Sequence, residues 1–178
     1  MSPKISPTLR SRFRRIRLLL CDVDGVLTDG GIFVGSASEM KRFDIQDGQG
    51  LAALRQQGIK VGWISSRPSA ATTRRASELK IDFLQQAKGP KVSLVECILI
   101  ETGLNWKEVC YVGDDIVDLG LIKRAGVGVA VANGVAETHA IADYITRARG
   151  GHGAVREVAE LILRAQGKWH RVVAPHRA

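Results

Sequence analysis

The sequence predicts an α/β fold: a parallel sheet with helices on both faces, a small β-hairpin inserted after the first strand, and no large cap domain. Three observations carry this. Short apolar runs at 18–20, 59–64, 109–112 and 127–131 alternate with segments of helical character, the rhythm of βαβ units. The first of these runs is unbroken, Leu18-Leu19-Leu20, as in a strand buried on both faces. The 178 residues suffice for one domain with a substantial core and leave no long stretch for a second.

The elements follow in order. Leu18 to Leu20 form the first strand and run into Cys21-Asp22-Val23-Asp24-Gly25. Gly31 to Val34 and Met40 to Phe43 flank Gly35-Ser36-Ala37-Ser38, a hairpin pattern. A helix begins at or near Asp47, passes through Leu51, Leu54 and Gln57, and stops at Gly58. Ile59 to Ile64 is the next strand, ending at Ser65-Ser66-Arg67-Pro68, and Ser69 caps a helix over 70–79. Ile81 to Leu84 is a short strand. Pro90 fits the first turn of a helix from Lys91 to Glu101. Val109 to Val112 is a strand that meets Gly113-Asp114-Asp115, followed by a helix over 119–125. Then come a strand over 127–131, a helix over 136–142, a short strand over 144–146, a glycine-rich loop over 150–153 and a helix over 154–166. Taken together the pattern is Rossmann-like.

Composition narrows the setting. The chain is 45% hydrophobic and 25% charged, as in an ordinary globular protein. No apolar run approaches the roughly 18 residues of a membrane span. The first residues lack the apolar core and cleavage site of a secretory signal. Cys21, Cys97 and Cys110 lie in apolar segments without metal-type spacing, which predicts buried reduced thiols and a cytoplasmic location. Much of the net charge of +8 sits near the ends, from Lys4 to Arg17 and from Lys168 to Arg177. These ends lack interleaved aromatics and any nucleic-acid-binding motif. They are therefore read as solvated basic tails, 1–16 and 169–178, around a domain over 17–168, with neither nucleic acid nor membrane as partner.

Chemistry concentrates at the carboxyl ends of the strands, where open α/β sheets hold ligands. Asp22 and Asp24 are one residue apart beside a glycine; two such carboxylates are costly unless they hold a cation or handle protons. Ser65, just after Ile64, can donate a hydrogen bond to an anion, and the sequence leaves open whether Ser65 or Ser66 faces the site. Lys91 stands in a first helical turn, where the helix dipole slightly disfavours a cation, a local conflict of the kind found at functional positions. Asp114 and Asp115 close another apolar strand. With Asp22 and Asp24 they supply oxygen ligands enough for Mg²⁺, while Asp118, one turn on, can orient them.

The ordered set Asp22-Val23-Asp24-Gly25-Val26, Ser65, Lys91 and Gly113-Asp114-Asp115 with Asp118 resembles the haloacid dehalogenase (HAD) superfamily of phosphohydrolases. The resemblance implies that Asp22 is the nucleophile and forms an aspartyl-phosphate. Asp24 is then the general acid and base, Ser65 and Lys91 hold the phosphoryl group, and Mg²⁺ is bound by Asp22, Asp24 through its main-chain carbonyl, and Asp114. Within the superfamily the chain is most similar to the cap-less branch that acts on 3-deoxy-D-manno-octulosonate 8-phosphate (KDO 8-phosphate), in lipopolysaccharide biosynthesis. The matching segments are 22–30, 43–50, 111–115 and 146–157. That branch implies a homotetramer in which the hairpin packs on other subunits. The sequence departs from the branch pattern at Ser66 and Ala87, where glycine is expected, at Gln46, where a basic residue is common, and in the run Lys88-Gly89-Pro90 before Lys91, where an acidic or amide residue often precedes the lysine. Arg67 and Lys88 are candidate ligands for a sugar-acid carboxylate. Two alternatives stand beside this: a nonulosonate (sialic-acid type) 9-phosphate phosphatase, and a non-catalytic HAD-like domain associated with sugar-nucleotide synthesis.

Overall fold

The structure, a computed structural model, describes residues 5–35 and 39–177. Residues 36–38, the hairpin turn read from the sequence, lie outside the described residues, as do 1–4 and 178.

The chain runs α1 (Pro7–Arg14), β1 (Leu18–Cys21), β2 (Phe33–Val34), β3 (Glu39–Met40), α2 (Ile45–Gln56), β4 (Lys60–Ser65), α3 (Ala70–Glu78), β5 (Phe83–Gln86), α4 (Lys91–Thr102), β6 (Val109–Gly113), α5 (Leu119–Arg124), β7 (Val127–Ala130), α6 (Ala136–Ile141), β8 (Tyr144–Ile145), α7 (Ala154–Ala165) and α8 (Trp169–Val173). Six strands form one parallel sheet in the order β5-β4-β1-β6-β7-β8, and β2 pairs with β3 as a separate antiparallel hairpin. The expected fold is therefore present, and no large cap is found among the described residues.

β1 alternates its side chains between two apolar layers, as the pleat requires. Leu19 and Cys21 join Phe13, Leu51, Leu54, Val155, Val158 and Ile162 on the face covered by α1, α2 and α7. Leu18 and Leu20 join Val95, Ile98, Tyr111, Leu121 and Ile122 on the face covered by α4 and α5. The chain winds from β1 out to β4 and β5, then crosses back to β6 on the other side of β1. This reversal places the carboxyl ends of β1, β4 and β6 around one crevice, the position where such sheets bind ligands.

Three expectations are corrected. Residues 7–14 are not a solvated tail but the helix α1, with Ser6 accepting a hydrogen bond from Leu9 N–H as its cap. Leu9, Phe13 and Ile16 form an apolar stripe at helical spacing that packs into the core, and Phe13 is fully buried. The arginines between them face outward, with Arg12 bonding both carboxylate oxygens of Asp143 at 2.6 Å and Gly126 O at 2.7 Å. At the other end Trp169 opens α8 and lies against the guanidinium groups of Arg156 and Arg164, 5.2 and 4.9 Å from the ring centre. Finally, Cys21 and Cys110 are buried free thiols as expected, whereas Cys97 lies on the solvent face of α4. If α1 belongs to the core, Phe13→Ala is expected to cost about 3–5 kcal/mol. Urea unfolding measures it, and a value near zero contradicts the docking of this helix.

Candidate active site

Continuing the alternation of β1, Asp22 falls on the α4 side of the sheet, and its N–H donates to Val112 O of β6 at 2.9 Å. Lys91, the first residue of α4, comes to meet it: its Nζ lies 2.9 Å from Asp22 Oδ1 and 2.7 Å from Asp118 Oδ1. All three side chains are buried. The unfavourable placement of a lysine at a helix start is thus explained, because two carboxylates outweigh the dipole.

Asp118 holds the centre. Its Oδ1 accepts from Lys91 and from the Tyr111 hydroxyl at 2.7 Å, and its Oδ2 accepts the N–H groups of Asp114 and Asp115 at 3.0 and 3.3 Å. It is fully buried, and its oxygens are occupied by these four donors. It therefore fixes the loop after β6 and places Asp114. Asp115 is exposed and caps the short 3₁₀ turn that follows, accepting Ile116 N–H at 2.7 Å.

Close backbone packing shapes the rest. Gly25 has φ +91, and a Cβ there would lie 2.1 Å from Asp114 Oδ2, so only glycine lets the loop after β1 press against this carboxylate. Thr28 Oγ1 accepts from Gly25 and Gly30 N–H, holding the loop in place. Gly150 seats against it from α7's entry: a Cβ at Gly150 would meet Gly25 O at 1.7 Å.

Asp22, Asp24, Ser65, Ser66, Arg67, Lys91, Asp114 and Asp115 line one cavity of about 200 Å³. Of the residues singled out in the sequence, Asp118 lies buried behind the lining, and Lys88 is outside it, on an exposed turn. Ser65 is buried, and its Oγ closes a tight turn by accepting Arg67 N–H at 3.1 Å; Ser66 lines the cavity beside it. Arg67 pairs with Glu39 of the hairpin.

Sequence reading missed Tyr111 and Lys41. Tyr111 showed a faint signal, a lone hydroxyl in an apolar strand. Lys41, between Met40 and Arg42, showed none, yet its side chain is 0% exposed and its Nζ lies 2.7 Å from Asp24 Oδ1.

The electrostatics call for a cation. Burial, with Asp118 nearby, pushes the Asp22 carboxyl up to about 6. Burial, together with Asp22, Asp118 and Asp115, pushes Asp114 up to about 7. Burial works against the charge on Lys91, but Asp22 and Asp118 prevail and hold its pKa above the ordinary value. Three carboxylates thus share one ammonium. Oxygens of Asp22, Asp114 and Asp118 come within 4.8 Å of one another, and Asp114 Oδ1 is buried with no hydrogen-bond partner. A hard divalent ion fits this donor set, with Asp22 and Asp114 free to bind it and Asp118 already engaged.

A haloacid dehalogenase-like hydrolase profile matches residues 83–158. The chain is 38% identical over 165 residues to the 3-deoxy-D-manno-octulosonate 8-phosphate phosphatase of Salmonella typhimurium, covering 92% of this chain and 88% of that one. It is 40% identical over 158 residues to the phosphatase of the same name from Yersinia pestis, covering 88% and 84%. Among solved structures, the 3-deoxy-D-manno-octulosonate 8-phosphate phosphatase of Moraxella catarrhalis, crystallised with magnesium, phosphate and KDO, superposes with a TM-score of 0.94. That pair is 40% identical, with 97% of this chain and 99% of the other aligned.

Proposed function

The chain belongs to the 3-deoxy-D-manno-octulosonate 8-phosphate phosphatase family of haloacid dehalogenase-like hydrolases, and on that premise we propose that it is a Mg²⁺-dependent phosphatase that hydrolyses KDO 8-phosphate. The observation that carries the reading is the buried set of Asp22, Lys91 and Asp114 beside Asp24 in one crevice.

In this reading an Asp22 oxygen attacks phosphorus, the bond from phosphorus to the sugar oxygen breaks, and an aspartyl-phosphate forms. Asp24 gives its proton to the departing alkoxide and then takes one from the water that attacks the aspartyl-phosphate, so inorganic phosphate leaves and Asp22 is restored. Lys91 and the Ser65 turn hold phosphoryl oxygens, and Lys91 keeps Asp22 ionised. Asp22, Asp114 and the main-chain carbonyl of Asp24 hold Mg²⁺, which when bound offsets the repulsion between the carboxylate and the phosphate.

Arg67, which lines the cavity, is the cation this reading assigns to the sugar-acid carboxylate. Lys88, the other candidate, is exposed and does not line the cavity. The hairpin leaves Phe33, Val34 and Met40 exposed by 65, 83 and 65%. An apolar hairpin of this kind supports assembly into the homotetramer, with neighbouring subunits shielding a site that has no cap. No described helix is long and apolar enough to cross a membrane. Together with the buried free thiols, this supports a cytoplasmic setting.

Phosphate release from KDO 8-phosphate tests the reading. Turnover is expected with Mg²⁺, loss to background on chelation, and recovery when Mg²⁺ is restored. Activity that persists in excess chelator contradicts the metal site at Asp22 and Asp114.

A further inference from the structure

Each carboxylate of the Asp22-Val23-Asp24 motif has its own lysine. Lys91 takes Asp22, and Lys41 takes Asp24, at 2.7 Å from Oδ1 and 3.0 Å from Oδ2. Lys41 follows β3 directly, on the return arm of a hairpin whose other described residues are largely exposed, yet its own side chain is withdrawn from water completely. The third partner of its ammonium is Thr72 Oγ1 at 3.2 Å, on α3, and Thr72 is also fully buried. Holding a lysine in such a place has a large desolvation penalty, offset by the paired carboxylate. An ordinary surface lysine beside solvent has no reason to adopt it. The hairpin is fixed at a second point by the Glu39–Arg67 pair, so both of its anchors reach residues that line the crevice.

We propose that Lys41 is the positioning residue of Asp24. It holds the carboxylate in the orientation from which a proton reaches the departing sugar oxygen, and it makes turnover depend on the hairpin being seated. The proposal rests on the acid role assigned to Asp24 above. Among the described residues the Lys41 ammonium pairs with Asp24 and Thr72 and with neither Asp22 nor Asp114, so its effect passes through the Asp24 side chain.

The consequence is selective. Proton delivery matters for an alkoxide leaving group and little for a good one such as p-nitrophenolate, and kcat/KM reports the steps through leaving-group departure. In the full-length protein with Mg²⁺, Lys41→Met is expected to lower kcat/KM on the sugar phosphate by on the order of 10²-fold. On p-nitrophenyl phosphate the same variant loses only a few-fold. Thr72→Val, which keeps the ion pair and removes the third partner, shows the same selectivity at smaller size, and it serves as the test if Lys41→Met does not fold. In the double variant Lys41→Met/Asp24→Asn the losses do not add.

Equal losses on both substrates, or none, overturn the proposal, as do additive losses in the double variant. If Asp24→Asn itself loses both substrates equally, the acid role of Asp24 fails, and that result is read independently of any Lys41 variant.

Discussion

Asp22→Asn is expected to reduce phosphate release by on the order of 10⁴-fold or more, because it removes the nucleophile of the proposed covalent route. The same change leaves the fold intact. Lys91 loses one partner but keeps Asp118 at 2.7 Å. Asparagine also removes a charge that burial and Asp118 oppose. The sign follows from the direction of the shift. The folded-state pKa of Asp22 is raised to about 6, so its protonated form favours the fold and its ionised form weakens it at neutral pH. In metal-free protein the melting temperature of the variant is therefore equal to or above that of the wild type at neutral pH. The difference between the two narrows as pH falls through about 6, where the wild-type carboxyl takes up its proton. A variant that retains appreciable turnover contradicts the role of Asp22. A variant that melts well below the wild type contradicts the charge argument instead, so one protein yields two separate tests.

Asp118→Ala is expected to destabilise the fold by about 3–5 kcal/mol, the range found when one member of a buried charged network is removed. The substitution strands the Tyr111 hydroxyl and the N–H groups of Asp114 and Asp115, and it leaves Lys91 with Asp22 alone. It also frees the loop that carries Asp114, so activity falls with stability. Asp118→Asn keeps an acceptor for the two backbone donors and loses only the charge, which places it between alanine and the wild type. Urea unfolding of the three proteins orders them. An alanine variant within about 1 kcal/mol of the wild type overturns the central place given to Asp118.

The carboxylates proposed as catalytic were legible because they sit at strand ends. A buried strand that runs into Asp22 or Asp114 breaks its own apolar pattern, and the break is visible in one dimension. Lys91 was visible for a similar reason, as a cation at the wrong end of a helix. What stayed hidden depends on distance in sequence. Lys41 is 17 residues from Asp24, and its place in a hairpin gives no hint that it turns inward. Asp118 read as an orienting residue, but its four donors come from α4, β6 and the following loop, which only the packed sheet brings together. Helix α1 was misread because its arginines outnumber its apolar residues. Leu9, Phe13 and Ile16 carried the helical period beneath that charge, and period rather than composition decided the outcome. Cys97 was misjudged in the opposite sense, since an apolar neighbourhood in sequence did not place it on the buried face of α4.

The most direct test of the account is the ratio of kcat/KM for KDO 8-phosphate to that for a nonulosonate 9-phosphate, measured with Mg²⁺ on the same preparation. A ratio well above one, at least tenfold, is expected, with both activities lost in Asp22→Asn. A ratio below one assigns the site to the longer sugar acid and contradicts the proposed substrate, and no turnover of either sugar phosphate contradicts the phosphatase reading itself.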